Sequence, residues 1–226
     1  MNRAKSVEAL LARAKQDFSA LKKAYDASLH EKHVREDLKV SIKNIYENLR
    51  SCLDYIAHDT FEKFCSTSKK PDRLYFPIRP SATEFKQAIS KDFPALDTSA
   101  PGLYACLEAV QPYNSDWLGK FNKLNNHNKH QDLAEQTRTE ARQVTVSRAG
   151  GSVSWGPGVS FGSGVSVVGV PIDPRTQMPV PNVVAKTEVV IWVDFRFAEV
   201  NEPVLGFTEK SVAAVEDLFA KVRVEF

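Results

Sequence analysis

The sequence predicts an α+β chain: an antiparallel helical bundle, then a small antiparallel β-meander, then one closing helix. Three observations carry the prediction. Apolar residues recur at helical spacing through most of the first 136 residues. Seven of the ten glycines then crowd between Gly150 and Gly169, among valines that alternate with small or polar residues. Helical spacing returns at the end, from about residue 208. Helices, strands and a helix in that order do not alternate as βαβ units do. The expected division is 1–136 for the bundle and 137–226 for the sheet with its helix, packed as one unit.

The elements follow from their residues. Over 4–28, Val7, Leu10, Leu11, Ala14, Phe18, Leu21 and Tyr25 mark one helical face. A longer pattern over 33–65 uses Val34, Leu38, Ile42, Ile45, Leu49, Cys52, Leu53, Ile56 and Phe64. Between them, His30-Glu31-Lys32-His33 is either a turn or a continuation. Residues 66–82 are a loop by their Ser, Lys and Pro content, and Tyr75-Phe76-Pro77-Ile78 within it should pack down on the helices. Short helices are expected at 83–91, started by Thr83 and Glu84, and at 101–110, started by Pro101. Gln111-Pro112-Tyr113 ends the second. A helix over 115–136 comes next.

Beyond it, Val144 and Val146, then Val159, Phe161, Val165 and Val167, read as strands. Residues 171–182 contain Pro171, Pro174, Pro179 and Pro181 and read as a loop. A long strand is expected over 183–197, with Val183, Ala185, Thr187, Val189, Ile191, Val193, Phe195 and Phe197 on one face. The closing helix, 208–223, shows Val212, Val215, Phe219 and Val222 on one side, with Thr208 as its N-cap.

Composition excludes several classes. The chain has 226 residues, 42% of them hydrophobic and 26% charged, so a sizeable core is available and wholesale disorder is not expected. Residues 1–150 hold 24 Lys and Arg against 19 Asp and Glu, while the remainder holds 6 against 9. A mildly basic front half suits an acidic partner. Cys52, Cys65 and Cys106 are odd in number and form no CxxC pair, which fits a reducing compartment. The charged N-terminus has no apolar signal core, and no apolar run approaches a membrane span. A cytoplasmic protein away from membranes, with no cofactor, is the expectation.

The most informative stretch is Trp117 to Leu133. Trp117, Leu118, Phe121 and Leu124 share a helix face with Asn125, Asn128 and Asp132. A polar group facing a core must find partners or destabilise the fold. Asparagine also disfavours helix, because its side chain competes for the backbone. On the helix over 33–65, Arg50, Asp54 and His58 stand four apart, either as a solvated ladder or as the partner of the 125–132 segment. The binding candidates are therefore Arg50, Asp54, Asn125, Asn128, Lys129 and His130. His30-x-x-His33 and His127-x-x-His130 each set two imidazoles one turn apart, but without further ligands at fixed spacing no metal site is assigned. Phosphate-loop and HExxH patterns are missing, and the glycine-rich stretch leads into strands rather than a helix N-terminus.

Four motifs stand in order: Asn48-Leu49-Arg50-Ser51-Cys52-Leu53-Asp54-Tyr55, then Phe76-Pro77-Ile78, then Gln111-Pro112-Tyr113, then Leu124-Asn125-x-x-Asn128-Lys129-His130. They resemble a bacterial protein group with an NLRSxLD(H/Y) helix, an FPI loop, a QPY turn and an LNxxNKH helix. That group is similar to the HEPN class of helical bundles. The resemblance covers roughly residues 35–135. It implies that Arg50, Asp54, Asn125, Lys129 and His130 meet in space. Many HEPN proteins cleave RNA through an Arg-x4-6-His motif. Here seven residues separate Arg50 from His58, and neither His127 nor His130 follows an arginine at that spacing, so the activity does not carry over. Two functional expectations result. One is an intracellular binding protein whose polar network joins two helices, with a protein or RNA partner and a candidate homodimer through the long helices. The other is an HEPN-like ribonuclease, with Arg50 or Lys129 stabilising phosphate charge and His130 or His58 as general acid or base.

Overall fold

A computed structural model describes residues 1–28, 35–66, 68–130, 133–156 and 158–226. The side chains of 26–28, 129–130, 138–141 and 190–193 fall outside the description. The chain forms two units, one of residues Met1–Thr137 with Arg196–Phe226, the other Arg138–Phe195. It is α+β, as the patterning predicts. The C-terminal helix, however, belongs with the bundle rather than with the strands that precede it. Its apolar face is covered by the first two helices of the chain, which it reaches because the chain returns to the first unit at Arg196.

In the first unit, α1 (Ala4–Ser28) buries Val7, Leu11, Ala14, Phe18, Leu21 and Tyr25, and α2 (Glu36–Phe64) buries Leu38, Ile42, Ile45, Leu49, Cys52, Leu53 and Ile56. Arg3, just before α1, holds two carboxylates near the end of α2. Its backbone N–H donates to Asp59 at 2.8 Å, and its guanidinium reaches Asp59 at 2.6 Å and Glu62 at 2.8 Å. The start of one helix thus meets the end of the other, so α1 and α2 are an antiparallel pair and not one rod. His30 and His33 lie outside the described residues.

The short helices follow their start signals with one shift. α3 (Ala82–Asp92) is capped by Ser81, not Thr83: the Ser81 hydroxyl accepts from Glu84 N and donates to Glu84 Oε1. A single turn, α4 (Leu96–Ser99), intervenes before α5 (Pro101–Ala109), where Pro101 occupies the first turn. Next is α6 (Asp116–His130), which buries Trp117, Leu118, Phe121 and Leu124. It stops short of the expected 136. Asn128 Oδ1 accepts from Ala134 N at 2.8 Å, binding the chain beyond the helix to its last turn. Asp132 lies outside the described residues.

Two strands leave and re-enter the first unit: β1 (Gln136–Arg148) and β6 (Lys186–Phe197). In the second unit β1 pairs antiparallel with β2 (Gly151–Trp155). A separate sheet contains β3 (Ser166–Val167), β4 (Val170–Asp173) and β5 (Met178–Pro179). The stretch expected as a proline loop therefore holds a hairpin. Pro171 and Pro179 stand in strands of four and two residues, where few ladder donors are forfeited. Conversely, Val159, Phe161 and Val165 are not in strands. Phe161 packs edge-on to Trp155, with ring centroids 5.1 Å apart, on a small core of Val144, Val146, Val167, Val170 and Ile172. The turn between β3 and β4 has positive φ at both Val168 (50°) and Gly169 (76°), the backbone of a two-residue hairpin of matching twist. β6 begins three residues later than expected. Its apolar face meets a core at Phe195 and Phe197, whereas Val189 is exposed.

The chain closes with β7 (Glu202–Pro203), paired to Arg196 and Phe197, and α7 (Val204–Val224). α7 starts directly after β7, so Thr208 is not its N-cap. Thr208 is buried in the second turn and donates to Val204 O at 2.7 Å, and Ser211 likewise donates to Phe207 O. Val212, Val215, Phe219 and Val222 are buried as expected, against α1 and α2. No helix among the described residues is long and apolar enough to cross a membrane.

The Arg3 clamp makes fold stability acid-sensitive. Hydrogen bonding to Arg3 holds the Glu62 carboxyl down to about 2, against 4.5 in an unfolded chain. A lowered carboxyl favours the fold above the unfolded value and loses that contribution as pH falls from about 4.5 to 2. Thermal melts across that range should show Glu62→Gln with a shallower acid limb than the parent. Parallel limbs would exclude Glu62 as a source.

A basic cleft between helices 2 and 6

The residues that shape the candidate site are two polar side chains that grip one loop by its backbone. Asp54, on α2, accepts from Phe76 N at 2.9 Å. Gln111, fully buried just after α5, accepts from Arg79 N at 2.9 Å and donates to Pro77 O at 2.9 Å and Leu107 O at 3.0 Å. Between them they fix Phe76, Pro77 and Arg79. An irregular segment carries backbone donors and acceptors with no ladder to satisfy them, and here side chains do so. Phe76 is 2% exposed and Pro77 is buried, as the sequence predicts. Tyr75 is not packed down: it is 56% exposed. Burial alternates through this stretch, with Arg73 and Tyr75 outward and Leu74 and Phe76 inward.

The held loop forms one wall of a cleft of about 610 Å³. Arg73, Tyr75, Phe76, Pro77, Ile78 and Arg79 line that wall, Lys91 and Asp92 come from the end of α3, Arg50 from α2, and Asn122, Asn125 and Asn126 from α6. Arg50 Nε and Nη2 each lie 3.2 Å from an Asp54 carboxylate oxygen, and Nη1 reaches Asn122 Oδ1 at 3.5 Å. This last contact joins the two polar segments. Helices 2 and 6 thus meet through their hydrophilic side chains at an open cleft rather than in a sealed core. Four cations line the cleft against one carboxylate, Asp92. Arg50 is neutralised by Asp54, but Arg73, Arg79 and Lys91 form no ion pair with a carboxylate of the described residues. Field lines from like charges in a concave wall concentrate on whatever occupies it.

The predicted site residues separate into three groups. Arg50 and Asn125 line the cleft, and Asp54 lies behind Arg50. Asn125 and Asn128 are 1% and 7% exposed, on the buried face where the helical spacing puts them. Asn128, however, spends its carbonyl on Ala134 N and does not line the cleft. His58 is one turn too far along α2. Burial, and then Lys70 and Arg3, push its pKa down. The side chains of Lys129 and His130 fall outside the described residues. His127 points to Glu199, with Nε2 and Oε1 3.6 Å apart.

Sequence reading missed Arg73, Tyr75, Arg79, Lys91, Asn122 and Gln111 as site residues. The FPI and QPY motifs flagged the right segments. The usable signal is the alternation through 73–76, a strand-like period inside the loop.

Gln111→Leu should destabilise the first unit by about 3 kcal/mol, since the N–H of Arg79 and the C=O of Pro77 lose their partners together. The cleft should loosen with it, read as faster amide exchange at Arg79. An unchanged urea midpoint would show the loop to be held by other contacts.

Comparison with protein-family models, with curated proteins and with solved structures finds no match, so the likeness to the bacterial NLRSxLD group rests on the four motifs alone.

Proposed function

We propose that this chain is a binding protein whose basic cleft receives a phosphate-bearing ligand. The observation that carries the reading is the convergence of Arg73, Arg79 and Lys91 on one cleft without described carboxylate partners. Such groups repel each other, and an anion relieves the repulsion while using guanidinium forks suited to phosphate oxygens. The asparagines of α6 add uncharged donors and acceptors on the opposite side. RNA is the polymeric form of the same chemistry. Binding is favoured over cleavage because His58 lies outside the cleft, and no imidazole is among the described groups that line it.

The test is calorimetric titration of the full chain with inorganic phosphate and with a short unstructured RNA. The double substitution Arg79→Ala, Lys91→Ala should weaken whichever ligand binds by tenfold or more, from the loss of two charge-assisted contacts. It should leave the fold intact, because neither side chain is part of the Asp54–Gln111 grip. Equal affinity in parent and variant, or no binding by either ligand, would refute the reading. RNA hydrolysis that survives purification and disappears with His58→Ala would favour a ribonuclease instead.

A further inference from the structure

The cleft holds one group that a bare anion leaves unsatisfied. Asn125 lies on its α6 wall and is 1% exposed, yet Oδ1, sealed from solvent, accepts no hydrogen bond. Its neighbour Asn122 receives Arg50, and Asn128 receives the backbone of Ala134. Asn125 alone among the three carries a carbonyl oxygen with nothing to accept. A buried acceptor without a donor is unfavourable, and substituting it by an apolar group of similar shape is neutral or stabilising unless the acceptor has a use. Rotation about the last torsion of an asparagine exchanges its oxygen and nitrogen, and a donor arriving in the cleft selects the orientation that presents the oxygen.

We infer that the ligand is a phosphomonoester that also carries an uncharged hydrogen-bond donor, a hydroxyl, and that Asn125 selects for that hydroxyl. The inference rests on the phosphate-cleft reading and adds the second half of the ligand. The phosphate faces Arg73, Arg79 and Lys91, and the hydroxyl reaches across to α6. The donor is neutral because the lining is positive on balance, and an ammonium group would be repelled by the cations that hold the phosphate. Discrimination of this kind is strong for its size, since an analogue without the hydroxyl leaves the carbonyl unpaired in the bound state as well.

Glycerol 3-phosphate and propyl phosphate share a carbon skeleton and a phosphate and differ in two hydroxyls. Titrated calorimetrically into the full chain, glycerol 3-phosphate should bind about tenfold more tightly, the factor one buried hydrogen bond supplies. In Asn125→Leu the two ligands should bind alike, and the melting temperature should be unchanged or higher. Equal binding of both ligands by the parent overturns the hydroxyl inference and leaves the phosphate cleft standing. Binding of neither overturns the cleft reading itself. A marked fall in melting temperature in Asn125→Leu shows that the amide is used by the fold, and it overturns the selective role whatever the affinities.

Discussion

The candidate site depends on one arrangement: a loop without secondary structure held by its own main chain. Asp54 takes the N–H of Phe76, and Gln111 takes the N–H of Arg79 and gives to the C=O of Pro77. These bonds are buried or half-buried, where water competes poorly and an unmade bond is expensive. They come from a helix and a turn far apart in sequence. The loop therefore cannot move without disturbing α2 and the turn after α5. Arg79 and Tyr75 inherit their positions from this grip, as ligand-facing residues on a loop generally must from a rigid frame.

Asp54 has a second task. The same carboxylate that receives Phe76 N also neutralises Arg50, which in turn reaches Asn122 on α6. One side chain thus couples the helix pair to the loop and sets which of the cleft's cations are free to act. Arg50 is largely buried and spent, with its side chain 12% exposed. Arg73, Arg79 and Lys91 stand nearer the opening without a described counter-charge. A pocket with its structural arginine neutralised and its outer cations unpaired presents a wall that is positive on balance.

The polar face of α6 shows how differently three identical residues can be used. Asn122 meets a guanidinium, Asn128 closes the helix onto the following chain, and Asn125 is buried with its carbonyl unanswered. Helical spacing put all three near the interior side, at a cost in propensity to the helix itself. Asn122 and Asn128 each find a donor for the carbonyl within the fold, although Asn128 Nδ2 is buried without an acceptor. Asn125 finds no donor for its own.

The helices of this protein were legible because burial at 3.6-residue spacing is a local pattern. Leu49, Cys52, Leu53 and Ile56 on α2, and Val212, Val215, Phe219 and Val222 on α7, face the core as their spacing requires. The same pattern marked Arg50, Asp54 and Asn125 as polar groups needing partners. Where each helix stopped was less legible. Asn128, in the last described turn of α6, binds a residue six positions on, and Thr208 sits inside α7 because a two-residue strand runs straight into the helix. The partners were not legible at all. That Asp54 answers Phe76, that Gln111 answers Arg79 and Pro77, and that Arg73, Arg79 and Lys91 gather opposite α6 are matters of long-range packing. Periodicity says which side a residue faces, but only the folded chain brings segments tens of residues apart within hydrogen-bonding distance, and that proximity is what turns scattered charges into a cleft.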